Sequence, residues 1–165
     1  MEAVSDHDDF ASFYGAARDR IVAGLAVFCG DWDAAGDAAS EAFTRACERW
    51  RRVSRMERPE GWVYQVGVNV LRRRRRREAI EQRAIARFAS GGSTLPPQLD
   101  DVLWEAVRKL PDRQREAIAL KYVVGLTQAE VATVMRIAPG TVGATLTHAR
   151  AALAAQLTDQ AEVSE

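Results

Sequence analysis

The sequence predicts an all-α protein made of two small helical domains. Apolar residues recur at intervals of three and four along most of the 165 residues, and no useful stretch alternates apolar and polar residues as a strand would. One helix-breaking stretch, Ser90 to Pro97, interrupts this pattern and predicts a flexible linker. We therefore expect a first domain over 1–87, a linker over 88–99, a second domain over 100–158 and a tail over 159–165, frayed from Gln160 onward.

Three helices are expected in the first domain. The first ends at Gly30, and the second runs from about Asp33 to Trp50 with an alanine-rich buried side. The third begins at Pro59, because proline lacks the N–H that would have no partner at a helix start. A basic loop, Arg52 to Arg58, precedes it.

Four helical segments are expected in the second domain, and the last two form a helix-turn-helix pattern. The segments are Asp100 to Lys109, Asp112 to Val124, Thr127 to Met135, and Thr141 to about Leu157. Thr127 and Glu130 have the spacing of a capping box. Such a pattern also occurs in plain helical hairpins. As a DNA reader, it would present Gly140, Ala144, Thr147, His148 and Ala151 to a major groove, a face with little charge.

The net charge of zero conceals opposed blocks. Residues 1–48 hold 3 basic and 10 acidic residues, residues 49–87 hold 13 and 4, and residues 88–165 hold 7 and 9. The middle block includes six consecutive arginines, Arg72 to Arg77, which repel one another on a helix unless a polyanion or counter-charges compensate. Such a run can be a solvated helix end, but its charge density favours nucleic acid as the partner of this block.

Other classes of protein fit the sequence poorly. We interpret the two cysteines, Cys29 and Cys47, as buried apolar residues, since they lack the spacing of metal ligands. No catalytic constellation, metal site or phosphate loop is recognisable, so neither an enzyme nor a cofactor is expected. The longest apolar stretch, Ile21 to Gly30, is too short to span a bilayer, and we expect a soluble cytoplasmic protein.

The joint occurrence of several motifs resembles the extracytoplasmic-function (ECF) group of bacterial RNA polymerase sigma factors. Segments similar to sigma region two are Phe10 to Tyr14, Asp37 to Phe43, Pro59 to Trp62, and Asn69 with the arginines. Segments similar to region four are Leu110 to Ala117, Gly125 to Ala132, Gly140 to Val142, and His148 to Arg150. The resemblance covers nearly the whole chain.

The resemblance implies three sets of site residues. The −10 promoter element would be bound and melted by Arg52, Arg55, Arg58, Asn69, Arg72, Arg73, Arg76 and Arg77, with an unstacked base trapped once the strands separate. The −35 element would be met by Lys121, Gln128, Arg136, Thr141, Ala144, Thr147, His148 and Arg150. The polymerase would be contacted by Asp37, Glu41 and Phe43.

Three departures from the family pattern concern these same regions. Gly36 and Ser40 replace an acid and a glutamine on the second helix, and Gly143 and Ala144 replace a base and a serine on the recognition helix. Arg136 stands in the helix-turn-helix turn where a glycine is common. If its backbone is left-handed, it costs about 1 kcal/mol.

The function implied is that of a promoter-specificity factor. Its partners would be core RNA polymerase, through the clamp helices and flap, and promoter DNA, and the family also implies an anti-sigma protein as a candidate partner. A stand-alone helix-turn-helix regulator is the alternative, with the first domain as a signal or oligomerisation module. It would bind specific duplex tightly without polymerase, which the weakly charged reading face disfavours.

Overall fold

The computed structural model describes residues 2–84 and 101–163, with side chains over 7–81 and 102–158. Both described segments are helical, as predicted. We call 2–84 the N-terminal half and 101–163 the C-terminal half. The predicted linker, 88–99, lies outside the described residues.

The N-terminal half is a bundle of three long helices and one short one. These are α1 (Glu2–Cys29), α2 (Trp32–Glu48), the single-turn α3 (Trp50–Val53) and α4 (Pro59–Ala84). Gly30, with φ of +79°, ends α1 as predicted. The Asp31 carboxylate accepts a 2.9 Å hydrogen bond from the Ala34 amide and caps α2, so that helix begins one residue before the predicted Asp33.

Alanines line the buried side of α2, and this thin face allows α1 and α4 to pack closely on it. Aromatic rings close one end of the bundle, where Phe13 lies 4.9 Å from Trp50 and Tyr14 lies 4.9 Å from Phe43 between ring centroids. Such ring pairs stabilise a core beyond the area that they bury.

The C-terminal half contains the predicted helix-turn-helix. Its elements are α5 (Asp101–Arg108), α6 (Asp112–Ile118), a π-helical turn continuing α6 (Ala119–Val124), α7 (Gln128–Met135) and α8 (Pro139–Val163). The capping box is confirmed: the Thr127 hydroxyl accepts from the Glu130 amide, and the Glu130 carboxylate accepts from the Thr127 amide. The expected fraying from Gln160 is wrong as far as Val163, because α8 continues to that residue.

The two halves share one continuous hydrophobic core. The π-helical turn packs on α1 and α7 packs on α4, and glycines allow the close approach. A Cβ placed on Gly24 would lie 2.8 Å from Val124 Cγ2, and one on Gly61 would lie 2.8 Å from Val134 Cγ2. Periodicity alone did not predict this contact between the halves.

The expectation for the cysteines is wrong. Cys47 is exposed, and Cys29 is only half-buried, with its thiol donating to the Asp31 carbonyl at 3.1 Å. Both lie near helix ends, where the apolar spacing of the sequence is a weak guide to burial. Among the described residues, no helix is long and apolar enough to cross a membrane.

The turn between α7 and α8 contains a left-handed arginine, Arg136, with φ of 56° and ψ of 47°. An L-residue pays about 1 kcal/mol for this conformation, which glycine adopts freely. We therefore predict that Arg136→Gly raises the free energy of unfolding by about 1 kcal/mol, measured by urea denaturation. Arg136→Ala is the matched control, since it removes the charge and keeps the Cβ. A glycine variant no more stable than the alanine variant would contradict the prediction.

Candidate nucleic-acid interfaces

The exposed side of α4 presents a small polar and cationic face. At about 100° per residue, Asn69, Arg73 and Arg76 lie within about 60° of one another around the helix axis. All three are exposed, on the side opposite the buried Val63, Tyr64, Val68 and Leu71. Arg77 extends this face and is also exposed. Guanidinium groups at this density bind phosphates, and the asparagine amide can hydrogen-bond a base edge. We call these four residues the α4 face.

The other arginines of the run are engaged within the protein. Arg74 forms ion pairs with Glu78 at 2.9 Å and with Asp37 at 3.8 Å. Arg72 and Arg75 lie over the Phe28 ring, at 5.5 and 5.8 Å from its centroid. The arginine run is therefore divided: Arg73, Arg76 and Arg77 belong to the α4 face, whereas Arg72, Arg74 and Arg75 contact other groups of the protein.

Arg72 and Arg75 also pair with α6 of the C-terminal half. Arg72 Nη2 donates to Glu116 Oε2 at 3.0 Å, and Arg75 Nη1 lies 3.7 Å from Asp112 Oδ2. The acidic partners could not be predicted from sequence, because they lie about 40 positions further along the chain.

The segment before α4 contains three further predicted DNA-binding residues. Arg52 lies in α3 and Arg55 in the following turn, both exposed, so the predicted loop begins with a helical turn. Arg58 instead faces the C-terminal half: its Nε lies 3.3 Å from Glu130 Oε1, and its Nη2 donates to the Gly125 carbonyl at 3.3 Å.

Glu116 is the one buried charged residue in the described part of the chain, at 1% exposure. Burial raises the pKa of its carboxyl, and the charges of Arg72 and Arg113 and the Arg72 hydrogen bond oppose that rise only in part. Burial, together with the nearby Glu116, also raises the pKa of Tyr64 well above its ordinary value. The Tyr64 hydroxyl has no hydrogen-bond partner among the described residues.

The predicted reading face of α8 is exposed and weakly polar. Ala144, Thr147 and His148 all point to solvent, while Val142, Leu146 and Ala149 are buried behind them. Thr147 donates its hydroxyl proton to the Gly143 carbonyl at 2.9 Å, and its oxygen accepts from Arg150 Nη2 at 3.5 Å. Thr141 and Arg150 are also exposed, and Arg150 Nε donates to the Leu146 carbonyl at 3.3 Å.

The remaining −35 candidates surround the start of α8. Gln128 Nε2 donates to the Pro139 carbonyl at 2.8 Å, so its amide fastens α7 to α8. A Cβ on Gly143 would lie 2.9 Å from that same nitrogen. Gln128 is nevertheless exposed, so its contact with DNA stays a prediction, with one amide N–H engaged by the Pro139 carbonyl. Arg136 is exposed, and Lys121 is half-buried on the π-helical turn.

The predicted polymerase-binding residues lie on α2. Asp37 and Glu41 are exposed one turn apart; Glu41 also pairs with Arg45. Phe43 is 3% exposed and lies in the aromatic cluster with Phe13 and Tyr14. The prediction that Phe43 contacts the polymerase therefore needs correction: its ring packs within the bundle. No group of metal-ligating side chains occurs among the described residues.

Comparison with known proteins identifies both halves. The model of Sigma-70 region 2 matches residues 13–80, and that of Sigma-70, region 4 matches residues 100–153. The chain is 28% identical over 171 residues to the ECF RNA polymerase sigma factor SigW of Bacillus subtilis (strain 168), covering 93% of this chain and 91% of that protein.

Two solved structures have the same fold. The sigma factor RpoE of Bartonella quintana, in complex with the anti-sigma factor NepR, matches with a TM-score of 0.79 and 22% identity, over 91% of this chain and 97% of that chain. CnrH, in complex with the cytosolic domain of CnrY, matches with a TM-score of 0.63 and 21% identity, over 93% of this chain and 90% of that chain.

A chain in which region 2 is followed by region 4 is a sigma factor, a DNA-binding protein that associates with RNA polymerase in transcription initiation. Within that class, the chain belongs to the ECF sigma factor family.

The raised pKa of Glu116 predicts a pH-dependent stability difference. A carboxyl whose pKa is raised on folding contributes stability below its ordinary pKa of 4.5 and loses it as pH rises through the raised value. Glu116→Gln removes this dependence while keeping the shape and one acceptor. In urea denaturation, the variant should therefore gain stability relative to wild type as pH rises from about 4.5 toward 7.

Glu105→Gln controls for the loss of one negative charge, because Glu105 is exposed on α5. Its difference from wild type should vary less with pH. If the Glu116→Gln difference were constant over the same range, the shift inferred for this carboxyl would be wrong.

Proposed function

We propose that this sigma factor brings core RNA polymerase to promoters by placing its N-terminal half at the −10 element and its helix-turn-helix at the −35 element. The observation that carries the proposal is the α4 face, where three exposed arginines flank the exposed Asn69. Phosphate contacts from the arginines would hold a DNA strand along α4. The Asn69 amide would then hydrogen-bond a base that has left the stack.

Binding at the −35 element would depend on contacts that position the protein on the DNA backbone and on DNA shape, more than on contacts to base edges. The predicted reading face of α8 offers two methyl groups, the Thr147 oxygen and the His148 ring, and one amide N–H of Gln128 is engaged by Pro139. Arg150 is also exposed, but its Nε donates to the Leu146 carbonyl and its Nη2 to the Thr147 hydroxyl oxygen. Few groups on this face are therefore free for bidentate readout, which supplies much of the discrimination in a major groove. The N-terminal half would carry the larger share of promoter affinity.

The exposed carboxylates of α2 are our candidates for the polymerase contact. Asp37 and Glu41 lie one helical turn apart and face outward. Each also forms an ion pair within the chain, Asp37 with Arg74 and Glu41 with Arg45. We further propose an anti-sigma protein as a partner. Of the two structural relatives described above, RpoE was solved with the anti-sigma factor NepR, and CnrH with the cytosolic domain of CnrY.

Reconstituted transcription tests the proposed function. Core polymerase with this chain should produce start sites on genomic fragments that core polymerase alone does not produce, and the chain should be retained on immobilised core. A chain that binds specific duplex tightly and ignores the polymerase would instead be a stand-alone regulator. Absence of new start sites, where another sigma factor works with the same core, would contradict the proposal.

The α4 face should determine the salt dependence of promoter binding. Each lost duplex phosphate contact reduces the slope of log affinity against log salt by about 0.9. Arg73→Gln with Arg76→Gln should therefore flatten the slope of holoenzyme binding by up to about 1.8, measured by fluorescence anisotropy. Arg18→Gln, an exposed arginine of α1, is the matched control and should leave the slope unchanged. An unchanged slope in the double variant would place these arginines away from DNA.

A further inference from the structure

A cavity of about 550 Å³ lies between the first turns of α1, the end of α2 and the short α3. His7 and Phe10 line it from α1, and the rest of its wall runs from Cys47 to Arg52. We call it the α1–α3 cavity. Its volume lies within the range of roughly 300–1,000 Å³ that small-molecule sites occupy. Of its lining residues, the function proposed above uses Arg52 alone.

The wall of the α1–α3 cavity carries an excess of positive charge. Three arginines, Arg49, Arg51 and Arg52, accompany one carboxylate, Glu48, and all four side chains are exposed. Guanidinium groups bind carboxylates and phosphates through paired N–H donors. The charge of the wall therefore favours an anionic ligand.

A buried donor in the same wall favours a ligand that carries acceptor oxygens. Trp50 is 8% exposed, and its indole Nε1–H has no hydrogen-bond partner among the described residues. A ligand oxygen that accepted from this N–H would remove the penalty of a buried, unpaired donor. The indole is held edge-on against Phe10, at 5.3 Å between ring centroids, so its position in the wall is fixed.

The cavity also presents a reactive group, the Cys47 thiol. Cys47 is exposed at the end of α2, whereas Cys29 is half-buried and donates its thiol proton to the Asp31 carbonyl at 3.1 Å. Burial raises the pKa of the Cys29 thiol, and only a thiolate attacks a disulfide. The two cysteines therefore differ in reactivity, and the accessible one shares a cavity with the arginines.

We propose that the α1–α3 cavity is a thiol-exchange site, where Cys47 forms a mixed disulfide with a small acidic thiol compound of the cysteinyl-peptide type. The Cys47 thiolate attacks one sulfur of that compound's disulfide, and the new bond to Cys47 forms as the original S–S bond breaks. The released half leaves as a thiolate and takes up the proton that Cys47 lost. Cys47 is thereby oxidised, and the released half is reduced. Carboxylates and peptide oxygens of the bound half supply partners for the arginines and for the Trp50 indole.

The bound half places negative charge beside α3. Arg52 lines the cavity and also belongs to the arginines proposed to bind the −10 element. Carboxylate and phosphate compete for the same guanidinium fork, so modification of Cys47 weakens DNA binding and reduction restores it. This consequence rests on the proposed function, whereas the modification itself does not.

The charge preference of Cys47 tests the site on the full chain. The Cys29→Ser protein is exposed to glutathione disulfide, which is acidic, or to cystamine, which is basic, and modification is followed by intact mass. The ratio of the two rates should be about tenfold more in favour of glutathione disulfide in the folded protein than in urea, where the cavity is lost. Adding Arg49→Gln and Arg51→Gln should bring the folded ratio close to the urea value.

Equal ratios in the folded and unfolded protein would overturn the site. In the wild-type chain, modification of Cys29 as fast as that of Cys47, located by peptide mapping, would overturn it too. Trp50→Phe keeps an aromatic ring and removes the N–H, so it should lower the equilibrium constant for glutathione loading about threefold or more. An unchanged constant would contradict the part assigned to the indole.

The effect on DNA binding is measured with the same modified protein. Glutathione-loaded wild type should bind a mixed-sequence duplex at low salt about tenfold more weakly than the reduced protein. It should also initiate less with core polymerase, and dithiothreitol should restore both. Cys47→Ser, treated in the same way, is the matched control and should change in neither. Equal affinity of the reduced and loaded forms, with loading verified by mass, would overturn the link to DNA.

Failure of the inference differs from failure of the proposed function. If wild type directs no initiation but Cys47 shows the charge preference, the thiol-exchange site stands and the promoter role is wrong. If wild type directs initiation and Cys47 shows no charge preference, the promoter role stands and the thiol-exchange site is wrong.

Discussion

The buried carboxylate of Glu116 constrains how the two halves pack together. A charge removed from water needs a partner, and here the partner, Arg72, comes from the other half of the chain. Arg72 is itself positioned over Phe28, so α1, α4 and α6 are joined at one place. The π-helical turn that continues α6 then brings Val124 against Gly24. Apolar contacts alone would allow the two halves to pack in several orientations, and this ion pair favours one of them.

Acidic side chains of the C-terminal half also take part in its packing on the N-terminal half. Residues 88–165 carry more acidic than basic residues, which is unexpected for a half expected to bind DNA. Asp112, Glu116 and Glu130 are turned toward arginines of the N-terminal half, away from the exposed surface of α8. Three of the nine acidic residues of this segment therefore belong to the contact between halves, and the weak charge of the reading face is a separate property of Ala144, Thr147 and His148.

Local features could be predicted from the sequence, and long-range ones could not. Gly30, Pro59 and the capping box of α7 each depend on a few neighbouring residues, and all appear as expected. The burial of Phe43, in contrast, depends on rings from α1 that meet it only in the folded bundle. The partners of Arg58 and Arg72 lie 72 and 44 positions further along, at Glu130 and Glu116. No spacing rule connects residues so far apart, so the division of the arginine run became visible only in three dimensions.

The size of the residue at position 143 determines which polar group the helix-turn-helix presents beside α8, and so can change promoter preference. Its missing side chain leaves room for the Gln128 amide to reach the Pro139 carbonyl. Any larger residue at this position would displace that amide and turn a polar group outward beside α8, where it could contact a base. One methyl group at position 143 thus separates a helix-turn-helix stiffened by its own glutamine from one that offers the glutamine to DNA. A small genetic step at a residue that need not touch the duplex could therefore retune recognition.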